Sequence, residues 1–190
     1  VKFEIFGKDQ IIARSGYSKQ GGFEIYLEDS SFGGSLWDLI WNAGQQYDIR
    51  PGCPNLIERI EGGLMSYGNE FTRSNNPLEC GFDSLCHFGK NFDYVGKAAL
   101  IEIAKKGPKK KLCGVKFGGG KTPPCGQPFP VTSEEGLPIG SITSGIYSPR
   151  LKVNVGMSMI KRGYWDNGTQ LIVHTPDGMA REGVVSKFPL

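Results

Sequence analysis

Histidine is scarce in this chain: His87 and His174 are the only two among 190 residues, and they stand far apart. Two scattered imidazoles support neither a Ser-His-Asp triad nor a zinc cluster, and their ordinary reading is structural. No metal site is expected. Five cysteines, Cys53, Cys80, Cys86, Cys113 and Cys125, form an odd number at irregular spacings. That pattern argues against a disulfide framework and fits a reducing cytoplasm. No apolar run is long enough to span a bilayer, so no membrane partner is expected. Charge of one sign is missing too. With 22 basic and 19 acidic residues the net charge is only +3, too little to mark a nucleic-acid binder. A phosphate loop is also absent, although Gly118-Gly-Gly120-Lys121-Thr122 suggests one. Val115 stands where the first glycine of G-x-x-x-x-G-K-T belongs, and Pro123-Pro124 forbid the helix that must follow.

What the chain does have is a strand with two unlike faces. From Gly22 to Glu28 the residues alternate, with Phe23, Ile25 and Leu27 on one side and Glu24, Tyr26 and Glu28 on the other. Packing accounts for the apolar side. The polar side carries a carboxylate and a phenol two residues apart, preceded by a glycine-marked turn that holds Tyr17 and Lys19. A carboxylate on a rigid strand can accept two parallel hydrogen bonds from a flat heterocycle bearing N–H groups. A solvated polar face is the competing reading.

Along the chain, Val1–Phe6 and Gln10–Arg14 read as strands joined by a turn at Gly7-Lys8-Asp9. Ser35 is placed to cap a helix with Leu36, Leu39, Ile40 and Ala43 on one face, ended by Gly44 and widened by Trp37 and Trp41 as core residues. Asn55–Glu61 reads as a short helix stopped by Gly62-Gly63. Lys97–Lys106 reads as another, with Leu100, Ile103 and Ala104 buried and Gly107-Pro108 ending it. Five lysines fall in Lys105–Lys111 and read as a solvated hinge, with attraction for a polyanion as the alternative. Beyond it come short strands over Leu112–Phe117, Ile139–Thr143, Val153–Met159, Gln170–Thr175 and Gly183–Lys187, separated by turn residues. That texture argues for a small barrel or sandwich.

Several stretches together carry a resemblance. They are R-S-G-Y at Arg14–Tyr17, G-F-E-I-Y at Gly22–Tyr26 and E-R-I-E-G-G-L-x-x-Y-G-N-E at Glu58–Glu70. N-P-L-E-C-G follows at Asn76–Gly81, and T-S-G-x-x-S-P at Thr143–Pro149. Phe92–Leu100 nearly matches F-x-G-K-A-A-L. In this order the chain resembles the aminomethyltransferase (glycine-cleavage T-protein) superfamily of folate-dependent enzymes over nearly its whole length. The details look most like a branch that takes a methyl group from a small sulfonium compound. Asn55 stands where T-proteins have an arginine that helps hold folate, and only the second arginine survives, as Arg59. The wording S-K-Q-G-G-F-E-I-Y points the same way.

The resemblance implies an α+β fold: the C-terminal part of a mixed α/β folate-binding domain over residues 1–107, then a small antiparallel β-barrel over 108–190. Family members are about twice as long, so the chain is expected to be a C-terminal half whose partner is the missing N-terminal half. A homodimer is compatible with it. The implied cofactor is tetrahydrofolate, accepting a one-carbon unit at N5. Glu24 matches the glutamate that binds the pterin ring, and Tyr26 and Arg59 join it as expected cofactor-binding residues. Tyr17 and Tyr26 are expected to offer their ring faces to the sulfonium. Because a sulfonium is already an activated leaving group, no catalytic acid or base is expected. The alternatives are an aminomethyltransferase proper and a non-enzymatic folate-binding relative.

Overall fold

The computed structural model describes every residue except Pro54, and it divides the chain into two compact units, Val1–Asn55 and Leu56–Leu190. In the first unit, β1 (Lys2–Ile5), β2 (Lys8–Ala13) and β3 (Glu24–Tyr26) form an antiparallel sheet in that order. The first hairpin turns on Phe6-Gly7, not on the expected Gly7-Lys8-Asp9. Both turn residues are left-handed, with φ of 56° and 71°, because a two-residue turn of this hand matches the twist of the strands it joins. Phe6 adopts this unfavourable conformation while stacking on Phe32, ring centroids 5.2 Å apart.

The third strand is shorter than its alternation suggested. Beyond Tyr26, the Glu28 N–H donates to the Gln10 side chain at 2.9 Å instead of to a neighbouring strand. Gln10 is buried, so this bond satisfies an amide that would otherwise be costly inside. Helix α1 (Gly33–Gly44) begins two residues ahead of Ser35. A tight turn over Ser30–Phe32 leads into it, and the Asp29 carboxylate caps that turn by accepting from the Ser31 N–H at 3.0 Å. Gly44 is needed for space, since a Cβ there would lie 2.6 Å from Ile49. The tryptophans differ from expectation. Trp37 is 57% exposed and stacks flat on Trp41 at 6.3 Å, while Leu36 alone of the apolar side chains on this helix is buried. The unit offers too little surface to cover both sides of so apolar a helix.

The second unit contains α2 (Leu56–Gly62), α3 (Lys97–Lys106) and six strands: β4 (Lys110–Phe117), β5 (Phe129–Thr132), β6 (Pro138–Ser148), β7 (Val153–Lys161), β8 (Gln170–His174) and β9 (Ala180–Ser186). They close into an antiparallel barrel in the order β4-β7-β6-β5-β8-β9, with β9 pairing back onto β4. Val115, Phe117, Phe129, Val131, Ile139, Ile142, Ile160, Leu171, Val173 and Val185 fill its core. The fold is α+β, as expected.

In β7, Val153, Val155, Met157 and Met159 alternate with smaller or polar residues, and this apolar face turns to the outside of the barrel. Val155 and Met157 pack on Ile60 of α2 and on Leu190, forming a second core. The other face of β7 carries Asn154, Gly156 and Ser158, and a Cβ on Gly156 would lie 2.7 Å from Ile142. Thus β7 is covered on both sides, and its small residues face the large ones of β6. On α3, Leu100 and Ile103 are half-buried and Ala104 is exposed, so this short helix buries less than its pattern suggested.

The lysine-rich link after α3 is not a loose hinge. Arg162 donates through Nε and Nη2 to the Pro108 carbonyl at 2.9 and 2.6 Å, and its backbone N–H bonds Lys109 at 2.9 Å. The first proteinase K cut is therefore expected within residues 45–53, where Tyr47 is 78% exposed. Arg162→Ala should make residues 105–111 the faster site. Mass mapping of the earliest fragments checks both, and a first cut at 105–111 in the unaltered protein would contradict the strap.

Candidate functional site

The polar face read from sequence exists in the first unit. Glu24 and Tyr26 lie on β3 with their side chains on one face, opposite Ala13 and Ile11 of β2. Tyr26 Oη donates to Glu24 Oε2 at 3.4 Å, and Ser15 Oγ donates to the same oxygen. Among the described residues no donor reaches Oε1. Glu24 and Tyr26 are both exposed, so the carboxylate faces open space rather than the sheet interior. Tyr17, on the glycine-rich turn before β3, is 39% exposed. The structure therefore joins Glu24 and Tyr26 directly and adds Ser15, which had no role in the sequence reading.

Arg59, in the second unit, is buried. Its Nη1 donates to Glu70 Oε2 at 2.9 Å and to the Leu64 carbonyl at 2.9 Å, and its Nη2 donates to Ser144 Oγ at 2.5 Å. Glu70 has no exposed side-chain surface. It also accepts from the Ser66 N–H at 2.6 Å, from Thr143 Oγ1 at 3.2 Å and from Ser144 Oγ. Near the end of α2, Glu61 accepts from Ser148 Oγ at 2.5 Å and from Arg150 Nε at 2.7 Å. Its carbonyl accepts from the Leu190 N–H at 2.7 Å. The E-R-I-E, Y-G-N-E and T-S-G-x-x-S-P stretches are thus parts of one polar joint that fixes α2 and the following loop to β6. Gly63 ends α2 at φ 71°, where a Cβ would lie 2.5 Å from Phe188. Glu61, Glu70, Ser144 and Ser148 were legible as motif letters, whereas Arg150 lies just past the last motif and was missed, and its partner Glu61 is 89 positions away.

Thiol chemistry has little support. Burial pushes the Cys113 thiol up to about 11 and raises those of Cys80 and Cys125, so all three are protonated at neutral pH and poor nucleophiles. Among the described residues no cluster of His, Cys, Asp or Glu could hold a metal ion, and no helix is long and apolar enough to cross a membrane.

An α2 helix pinned to a closed six-stranded barrel, with a carboxylate-bearing sheet in the other unit, agrees with the family comparisons. The GCVT N-terminal domain matches residues 1–90, and the glycine cleavage T-protein C-terminal barrel domain matches residues 110–190. The chain belongs to the aminomethyltransferase (glycine-cleavage T-protein) superfamily. It is 47% identical over 181 residues to the dimethylsulfoniopropionate demethylase of Ruegeria pomeroyi, covering 93% of this chain and 49% of that protein. It is 34% identical over 175 residues to an aminomethyltransferase of Caldanaerobacter subterraneus subsp. tengcongensis, covering 90% of this chain and 45% of that one. The crystal structure of the glycine cleavage system aminomethyltransferase T from Bartonella henselae superposes with a TM-score of 0.73 at 24% identity. It covers 94% of this chain and 48% of that chain, and shows the fold. The chain spans about half the length of the curated relatives it matches.

Proposed function

We propose that this chain is part of a tetrahydrofolate-dependent methyltransferase that demethylates dimethylsulfoniopropionate. The observation that carries the reading is Glu24, whose Oε2 is held by two hydroxyls while Oε1 is free to accept from a ligand. An exposed acceptor on a strand fits a pterin edge, whose adjacent N–H groups can bond a carboxylate in parallel. Similarity favours the sulfonium donor, since 47% identity to a dimethylsulfoniopropionate demethylase stands against 34% and 31% for aminomethyltransferases.

When bound, tetrahydrofolate supplies the N5 nucleophile that takes the methyl group, while the C–S electron pair stays on sulfur and the N5 proton passes to water. Glu24 would fix the pterin and so aim N5. Tyr17 and Tyr26 would offer ring faces to the sulfonium, each contact contributing about 0.5–2 kcal/mol. Arg59 has an internal role in this proposal, within the second unit. Its N–H groups hold the loop to Glu70 against Ser144 rather than pointing at a ligand. Catalysis then rests on placement in line and exclusion of water.

The proposed partner is the remaining half of a longer protein. Phe3, Ile11, Phe23, Trp37 and Leu39 of the first unit are each at least half exposed, more apolar surface than a unit of this size leaves open by itself. We also retain residues 1–107 and 108–190 as the proposed functional division, and a reducing cytoplasm as the setting that suits five free cysteines.

The test supplies the full-length protein with tetrahydrofolate and either dimethylsulfoniopropionate or an aminomethyl-lipoyl donor, and follows methylated folate. Glu24→Gln should weaken folate binding by about 1.5–3 kcal/mol. Turnover with the lipoyl donor alone would make the protein an aminomethyltransferase. Unchanged folate affinity in Glu24→Gln would remove Glu24 from the site.

A further inference from the structure

We propose that Ser15 is a positioning residue for the Glu24 carboxylate, an inference that rests on Glu24 binding the pterin. The two oxygens of Glu24 are not equivalent. Ser15 Oγ and Tyr26 Oη both donate to Oε2, and Oε1 receives nothing among the described residues. A carboxylate oxygen accepts about two strong hydrogen bonds, so Oε2 is already full. A pterin presenting two parallel N–H groups needs one lone pair on each oxygen, and one hydroxyl must therefore give way. Tyr26 is the one that yields. Its bond is long, at 3.4 Å, beyond the usual range for a hydroxyl on a carboxylate oxygen. The Ser15 bond is the shorter, and it comes from outside the sheet, nine positions earlier across the glycine-rich turn.

This geometry gives Ser15 a task that packing does not require. Ser15 and Glu24 are both exposed, so no apolar contact fixes the carboxylate's torsions. Without the serine hydroxyl only the long Tyr26 bond restrains the carboxylate, and binding a pterin must first select one of its orientations. The same bond runs from the start of the turn that carries Tyr17 to the carboxylate on β3. The residue thus couples the pterin-binding strand to the loop that offers a ring to the sulfonium. A threonine would keep the donor, while an alanine would remove it without altering the fold.

A double-mutant cycle in the full-length protein tests this, using tetrahydrofolate titrated anaerobically and read by tryptophan quenching. Ser15→Ala should raise the folate Kd about fivefold to tenfold. Ser15→Thr should stay within about twofold of the unaltered protein, and Tyr26→Phe should lose less than Ser15→Ala. In the Glu24→Gln background, Ser15→Ala should add nothing further, because the group it orients is already changed. The thermal midpoint of Ser15→Ala should match that of the unaltered protein, which a merely structural serine would not predict together with a weakened Kd. If Glu24→Gln weakens binding but Ser15→Ala does not, or if the two losses simply add, Ser15 does not position Glu24. If Glu24→Gln itself leaves Kd unchanged, the underlying pterin assignment fails first, and the two failures are told apart.

Discussion

Replacing Arg59 with alanine should destabilise the second unit by about 3–5 kcal/mol, the range for a buried ion pair that loses one partner. The reason lies in what remains. Glu70 has no exposed side-chain surface, so its carboxylate would keep the Ser66, Thr143 and Ser144 bonds but lose the cation that balances it. Leu64 and Ser144 would each lose a partner as well. Urea denaturation followed by circular dichroism measures the loss, and a change below about 1 kcal/mol would contradict the account. The contribution of the pair itself is a different quantity. A double variant, Arg59→Met with Glu70→Leu, should recover much of the loss, because two charges no longer need to be desolvated. Arg59→Lys should not recover it. One ammonium cannot span Glu70, Leu64 and Ser144 from the position of a planar fork.

The same joint shows how far the residues speak for themselves. Strand alternation is a local property, so the order of residues alone puts Glu24 and Tyr26 on one face. It does not bring Ser15 to them, because the link from Ser15 to Glu24 crosses a turn whose path glycine leaves open. The motif letters of Glu58–Glu70 and Thr143–Pro149 identified the family correctly, yet their physical meaning depends on closure of the barrel. Only then do Ser144 and Ser148 come beneath Arg59 and Glu61. The tryptophans of α1 failed for the opposite reason. Their pattern is that of a buried helix, and the pattern is sound, but the Val1–Asn55 unit has too little surface of its own to bury it. In β7, both faces are covered, and a period-two reading reports one buried face at a time.

The strand that the sequence pattern conceals is the one whose loss should be felt most in the barrel. Phe129–Thr132 was hidden by Pro128 and Pro130, which ordinarily exclude a central strand. It is tolerated because β8 pairs only with Val131 and Thr132, so the missing N–H of Pro130 removes no bond on that side. This four-residue strand alone joins β6 to β8 in the closed order. Phe129 is 1% exposed and among the largest fully buried side chains, facing Ile142 across the ladder. Its neighbours cannot close over a smaller residue. Gly145, where a Cβ would already lie 3.4 Å from the ring, has no side chain to extend, and Ile142 is committed to the space beside Gly156. Phe129→Ala should therefore cost about 3–5 kcal/mol, the range for a buried aromatic that leaves a cavity. Native-state hydrogen exchange should show the loss first at Val131, Thr132 and Val173, because opening β5 breaks the ring at its narrowest joint. Equal loss of protection across all six strands would mean that the barrel opens as one unit, with β5 no weaker than the rest.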